Sequence, residues 1–251
     1  MTHPAIRDGG VAVVTGAAMG IGRAMAQAFA ARGMRVALLD TAPELQETAA
    51  ETGGLALSCD VSDLAQVEAA RDAVLAQLGP PTVLVNNAAS RAGRGWDAPL
   101  SAWQQAIDVN ILGVIHGIRA FQPVMEPPGA IINVGSKQGI TNPPGHPVYN
   151  LTKAAVKSLT EGLEHELRQS PAPRLTAHLL MPGWTTSGNA EHKEGAWHPH
   201  QVVEHMMAAL DRGDFYILCP DGEVTAEMDA ERIRIAAEDV IAGHTALSRW
   251  A

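Results

Sequence analysis

The turn Thr15-Gly16-Ala17-Ala18-Met19-Gly20-Ile21-Gly22 stands between a short apolar run, residues 10–15, and an alanine-rich stretch, residues 23–32. No other feature restricts the fold of this chain more. The apolar run reads as a strand buried on both faces. The stretch after Gly22 is rich in helix formers, and Gly33 stands where a helix commonly ends. Glycines between a strand and a helix let the backbone turn sharply and come close to a ligand. The helix that follows presents free N–H groups and the positive end of its dipole to an anion. The spacing is Gly-x-x-x-Gly-x-Gly rather than Gly-x-Gly-x-x-Gly. The context still matches a turn that cradles a dinucleotide pyrophosphate.

A second apolar run, Met34 to Leu39, ends in Asp40. An acid roughly 20 residues beyond the glycines is where a carboxylate accepts hydrogen bonds from an adenosine ribose. That carboxylate would repel a 2′-phosphate. Ala17, Ala18, Met19 and Thr41 offer no basic side chain to receive one. NAD is therefore expected rather than NADP. The alternative for Asp40 is a cap on a helix over 43–52, which would not explain its distance from the glycines.

The pattern then repeats. Residues 55–59, 83–89 and 130–135 read as strands, with helices expected from Ser62 to about 78 and over 107–125. Alternating strands and helices argue for a parallel sheet covered on both faces, with ligands at the C-terminal edge of the strands.

A proton-handling set lies near that edge. After Pro147, residues 148–168 read as helix, so Tyr149 and Lys153 fall at i and i+4 on one face. A free tyrosine titrates near pKa ~10, too high for a base at neutral pH. A nearby ammonium and a cationic nicotinamide would favour tyrosinate. A shift of about three units asks for roughly 4 kcal/mol. Ser136 follows the fifth strand, where its hydroxyl can hold a substrate oxygen near Tyr149. Alone, each residue would be read as a solvated helix face or a turn. Together beside a nucleotide turn they point to hydride transfer between a nicotinamide and an alcohol or ketone.

The chain resembles the classical short-chain dehydrogenase/reductase family over about residues 10–190. The resemblance rests on Thr15-Gly16-x-x-x-Gly20-Ile21-Gly22, Asp60-Val61, Asn86-Asn87-Ala88-Ala89, Asp108-Val109-Asn110, the Ser136, Tyr149 and Lys153 set, and Pro182-Gly183, all in order. Ala89 replaces the glycine that usually closes the fourth-strand motif. The resemblance implies an α/β, Rossmann-like doubly wound parallel sheet of about seven strands, one domain over 1–251. It implies Asn110, Ser136, Tyr149 and Lys153 as catalytic residues, with Asn110 binding a water that links Lys153 to solvent. It implies cofactor contacts from Gly16, Met19, Gly20, Ile21, Asp40, Asp60, Val61, Asn87, Ala88, Tyr149, Lys153, Pro182, Gly183 and Thr185. It also implies a homo-oligomer, tetramer or dimer, built on the helices near 101–125 and 148–168.

Composition narrows the classes left. A chain of 251 residues with 46% hydrophobic and 18% charged residues suits one folded domain. A net charge of −9 argues against a nucleic-acid partner. No basic segment followed by an apolar signal region is seen at the N-terminus, and no apolar run is long enough for a membrane span, so a cytoplasmic location is expected. Cys59 and Cys219 do not suggest a disulfide framework and read as small buried apolar residues. Of ten histidines, His192, His198, His200 and His205 cluster, but without a metal-ligand spacing, and no metal is expected.

Three segments are expected to line a substrate pocket: 90–96, 138–146 and 184–197. Gln138, His146, Trp184 and Trp197 are the candidate substrate contacts, with 184–205 as a lid; the alternatives are that one or both tryptophans pack against the scaffold and that His146 caps the helix after it. After a seventh strand over 214–220, the usual family ending is missing, and a helix over about 225–242 takes its place. Set against the NAD-dependent alcohol dehydrogenase or ketone reductase are an NADP-dependent carbonyl reductase and a dinucleotide sensor without turnover. Asp40 argues against the first and the intact proton set against the second.

Overall fold

The computed structural model describes residues 3–170, 175–186, 188 and 190–250. Seven strands form one all-parallel sheet in the order β3-β2-β1-β4-β5-β6-β7. They are β1 (Val11–Thr15), β2 (Arg35–Asp40), β3 (Leu55–Ser58), β4 (Val83–Asn86), β5 (Gly129–Val134), β6 (Leu175–Met181) and β7 (Tyr216–Leu218). The order reverses between β1 and β4. The crevice beyond the strand ends therefore opens there, where doubly wound sheets bind ligands.

The central strands are buried along their whole length, which is why they read as unbroken apolar runs. Helices α1 (Gly20–Ala30), α2 (Leu45–Thr52) and α8 (Pro199–Arg212) cover one face, where Phe29, Leu38, Ile132 and Met206 share a core. Helices α3 (Leu64–Gln77) and α5 (Gly113–Phe121) cover the other with Val67, Val74 and Phe121. Helix α7 (Pro147–Gln169) packs along β6 through Val156.

Several boundaries differ from expectation. Asp63, not Ser62, caps α3, its carboxylate accepting the Ala65 N–H at 2.9 Å. Ser62 instead donates its hydroxyl to Asp60 at 2.7 Å. The helix expected over 107–125 is interrupted. Helix α4 (Leu100–Ile107) runs into a π-helical turn, Asp108–Leu112, before α5 begins. Such a turn holds one residue more per turn, and it presents Asn110 inward, fully buried. Residues 138–141 form a short helix, α6 (Gln138–Thr141). The expected lid is not one unit: residues 199–205 belong to α8, with Val202 and Val203 in the core, and Ser187 lies outside the described residues. The C-terminal helix α9 (Ala226–Ala242) is capped by the Thr225 hydroxyl, which accepts the Met228 N–H at 3.3 Å.

Both cysteines are free and buried, and burial pushes the Cys59 thiol up to about 11 and Cys219 to about 12. Among the described residues no helix is long and apolar enough to cross a membrane.

His178 on β6 is buried. Its Nδ1 donates to the Asp214 carbonyl at 2.9 Å, and its Nε2 meets the Thr176 hydroxyl at 2.9 Å. The His3 ring stands edge-on to it at 5.3 Å. Burial holds both imidazoles below their ordinary value. The unfolded chain takes up protons near pH ~6.5 while the folded chain resists. Stability is thus full above that pH and is lost as pH falls below it. Thermal melts between pH 7 and 5 should show a falling Tm, and His178→Gln should flatten the slope.

Candidate active site

A cavity of about 1040 Å³ runs along the C-terminal edge of the sheet, from the ends of β2 and β3 to the start of α7. Its walls are built by the turns that follow the strands.

At one end lies the glycine turn. Gly16 adopts φ +64°, and its N–H donates to the Leu39 carbonyl at 2.8 Å. The Asn87 amide donates to the carbonyls of Thr15 and Gly16, both at 3.0 Å, tying β1 to β4 across the crevice. A Cβ on Gly22 would lie 2.0 Å from the Gly16 carbonyl, so only glycine permits the turn to fold onto α1. Met19 is the N-cap of α1 and makes no side-chain cap bond, so no side-chain oxygen fills the helix end. The turn is a cradle of backbone at a helix N-terminus and fits a pyrophosphate.

Asp40 ends β2 and faces that turn. One carboxylate oxygen accepts the Ala18 N–H at 3.0 Å, and the other accepts Thr41 and Ala42 at 2.7 and 3.0 Å. It does not cap α2, whose N-cap is Glu44. Asp60, Val61, Asn87 and Ala88 continue the wall, as do Met19, Gly20 and Ile21 on the opposite side.

At the other end Ser136, Tyr149 and Lys153 share the cavity. The Lys153 ammonium is buried and donates to the Val134 carbonyl at 2.8 Å, two residues before Ser136. Burial lowers its pKa; Tyr149 opposes that shift and the Arg91 charge adds to it. The ammonium lies 5.6 Å from the Tyr149 ring centroid, and the Arg91 guanidinium lies 5.7 Å from it. The Ser136 hydroxyl accepts the Gln138 N–H at 3.2 Å. Asn110 is held by three hydrogen bonds to two residues. Its Oδ1 accepts the Ser90 N–H at 2.6 Å, and its Nδ2 donates to the Ser90 carbonyl at 2.9 Å and the Thr152 hydroxyl at 3.0 Å. These bonds fix the loop after β4 against α7.

Pro182, Gly183 and Thr185 line the cavity after β6, as do Gln138, His146 and Trp184. His146 stands at the N-cap of α7 without a side-chain cap bond, leaving its imidazole to the cavity. Trp197 is the exception among the expected contacts. Its ring packs on the core under α8, with His205 at 5.9 Å, and does not line the cavity. Its backbone serves instead, pairing with Trp184 and Thr186 at 2.8 and 2.9 Å. The histidines near it stack, His192 on His198 at 3.9 Å and His198 on His200 at 5.5 Å. Among the described residues no group of three or more His, Cys, Asp or Glu side chains is arranged to hold a metal.

The far wall comes from the C-terminal segment. Lys137, next to Ser136, is buried with its ammonium 2.5 Å from Asp229 and 3.3 Å from Asp221. Asp221 also accepts the Trp184 N–H at 2.5 Å and lies where a Cβ on Gly183 would fall. Arg232 on α9 reaches Asp229 at 3.5 Å and lines the cavity. Beyond α9, Arg249 and Trp250 donate to the Thr141 carbonyl at 2.6 and 2.9 Å. Sequence reasoning left this wall open. Its only signal was a lysine in an otherwise apolar or small-residue strand end.

A backbone cradle that fits a pyrophosphate and a tyrosine one turn before a buried lysine share one cavity, as suits an oxidoreductase that uses a nicotinamide dinucleotide. The chain belongs to the short chain dehydrogenase family, whose model matches residues 10–197. It is 32% identical to a probable galactose dehydrogenase of Rhizobium meliloti over 81% of this chain and 80% of that protein. A short chain dehydrogenase/reductase from Burkholderia phymatum, solved in complex with NAD, superposes with a TM-score of 0.85 at 29% identity, covering 95% of this chain and 96% of that one. A short chain dehydrogenase from Burkholderia cenocepacia, solved with NADP, gives 0.78 at 27% identity over 87% and 99%.

Removing one partner of a buried ion pair leaves the other charge uncompensated and costs about 3–5 kcal/mol. Asp229→Ala leaves Lys137 with Asp221 alone, so it should lower the unfolding free energy by up to about 3 kcal/mol, move the denaturation midpoint down and speed hydrogen exchange across 226–242. An unchanged midpoint would show that the pair does not hold the wall.

Proposed function

We propose that the protein is an NAD-dependent oxidoreductase that interconverts a secondary alcohol and a ketone, with Tyr149 as general acid and base. The observation that carries the reading is the placement of Tyr149 one helical turn before a buried Lys153, in the cavity that also holds the glycine cradle. A nicotinamide dinucleotide held by the Gly16–Gly22 turn and Asp40 would supply the hydride acceptor for the alcohol or the hydride donor for the ketone. Ser136 donates a hydrogen bond to the substrate oxygen and holds it beside Tyr149. In oxidation the Tyr149 oxygen takes the hydroxyl proton as the hydride leaves; in reduction the same oxygen gives the proton back. Lys153 supplies positive charge next to the Tyr149 ring, where charge develops on the tyrosine oxygen as the proton moves. Asn110 is proposed to hold the water that links Lys153 to solvent.

Asp40 supports NAD as the partner. Its carboxylate is already fixed at the glycine turn by three backbone donors, so it meets the adenosine ribose without reorganising. A 2′-phosphate there would face a like charge. Arg23 on α1 is tied to Glu51 and Glu47 on α2, so it is not free to offset that repulsion. The protein is further proposed to act in the cytoplasm as a dimer or tetramer.

The test is NADH formation over a panel of secondary alcohols. Turnover with NAD should exceed that with NADP, and Tyr149→Phe should lose about 10²–10⁴-fold in kcat while still binding NAD. Asp40→Ala should narrow the NAD preference by at least about tenfold. Wild-type turnover in the Tyr149→Phe variant would remove the assigned base, and a native preference for NADP would overturn the reading of Asp40.

A further inference from the structure

The substrate half of the cavity is charged in a way the rest of the chain is not. The protein carries a net charge of −9. Yet Arg91, Arg94, Lys137, Lys153 and Arg232 all line the cavity, and among the described residues Asp221 is the one carboxylate that lines it away from the adenosine end. Lys137 and Arg232 are matched by Asp221 and Asp229, and Lys153 is engaged with the Val134 carbonyl. Arg91 and Arg94 differ. Both are exposed at the mouth, and neither guanidinium has an ion-pair or hydrogen-bond partner among the described residues.

Their position is not that of loose surface arginines. Asn110 grips the backbone of Ser90 from both sides, immediately before Arg91. Gly93 turns the chain between the two arginines at φ +83°, with Val148 of α7 against it, and the Gly95 N–H donates to the Gly145 carbonyl at 3.2 Å. Arg91 is thereby held 5.7 Å from the Tyr149 ring centroid, close enough to add to the downward shift on Lys153. The loop follows β4, on the other side of β1 from the β2 end where Asp40 sits. A cation there is placed for a group on the substrate rather than for the adenosine ribose. A guanidinium presents a planar fork of donors that matches a carboxylate.

We infer that the substrate is an alcohol or oxo compound bearing a carboxylate, bound by Arg91 with Arg94 while its carbinol carbon lies at Tyr149. The inference rests on the alcohol–ketone reading above. The carboxylate offsets the positive charge that Arg91 and Lys153 place beside Tyr149, and it orients the carbinol before reaction. Arg91 and Arg94 are thus substrate-binding groups that set specificity.

The experiment titrates the NADH-loaded enzyme with oxo carboxylates of three to six carbons (pyruvate, acetoacetate, levulinate and their homologues) and with their methyl esters. Binding is read from NADH fluorescence and calorimetry, and reduction from NADH absorbance. At least one carboxylate should bind tighter than its ester by about tenfold or more. The difference should vanish in the Arg91→Gln/Arg94→Gln double variant, whose NADH affinity is measured in parallel as a check on its fold. Equal binding of acids and esters, a preference that survives in the double variant, or no carboxylate binding at all would overturn the inference. Binding does not require hydride transfer, so the two failures separate. Carboxylate preference without turnover supports the anion site and contradicts the alcohol–ketone reading; reduction of esters without any preference does the reverse.

Discussion

A lysine ammonium taken out of water is the constraint on which the site depends. Burying a charge is costly unless it is paired or hydrogen-bonded. Lys153 meets that condition with the Val134 carbonyl at the end of β5 and the face of Tyr149 one turn earlier on its own helix. That contact ties α7 to the end of β5, alongside the packing of α7 on β6 through Val156, where Tyr149 and Ser136 share one cavity. The same packing places Thr152 beside Asn110, which fixes the loop that carries Arg91. Strand end, helix and loop meet around one buried cation and the asparagine beside it.

The second half of the architecture answers a second buried cation. Lys137 lies one residue past Ser136, and its two carboxylate partners come from the segment after β7 and from α9. Asp221 also holds the Trp184 backbone, so the turn after β6 and the turn after β5 are tied through it. The C-terminal chain is thus a wall of the cavity, bound by charge to the residue next to Ser136.

Local chemistry made much of this readable from the sequence. Glycines at Gly16 and Gly22 are demanded by backbone conformation and by a 2.0 Å approach, and both constraints leave a signature in residue type. The i, i+4 spacing of Tyr149 and Lys153 and the apolar runs of the buried strands are likewise local. What was not readable depends on contacts distant along the chain. The π-helical turn at Asp108–Leu112 has no residue pattern that separates it from ordinary helix. Trp197 carries the same side chain whether it faces substrate or the core under α8, and only packing decides that it takes the core. The pairing of Lys137 with Asp229 spans 92 positions, and nothing near either residue announces it.

The central claim is that Lys153 makes Tyr149 able to move a proton beside the cofactor. It is tested most directly by comparing Lys153→Met with wild type in single-turnover alcohol oxidation, with NAD saturation verified by titration. Methionine keeps the length and apolar bulk of the lysine stem and removes the charge together with its hydrogen bond to the Val134 carbonyl. The account predicts a loss of about 10²-fold or more in the rate of NADH formation at saturating NAD. A variant that binds NAD and oxidises alcohol at the wild-type rate would contradict it.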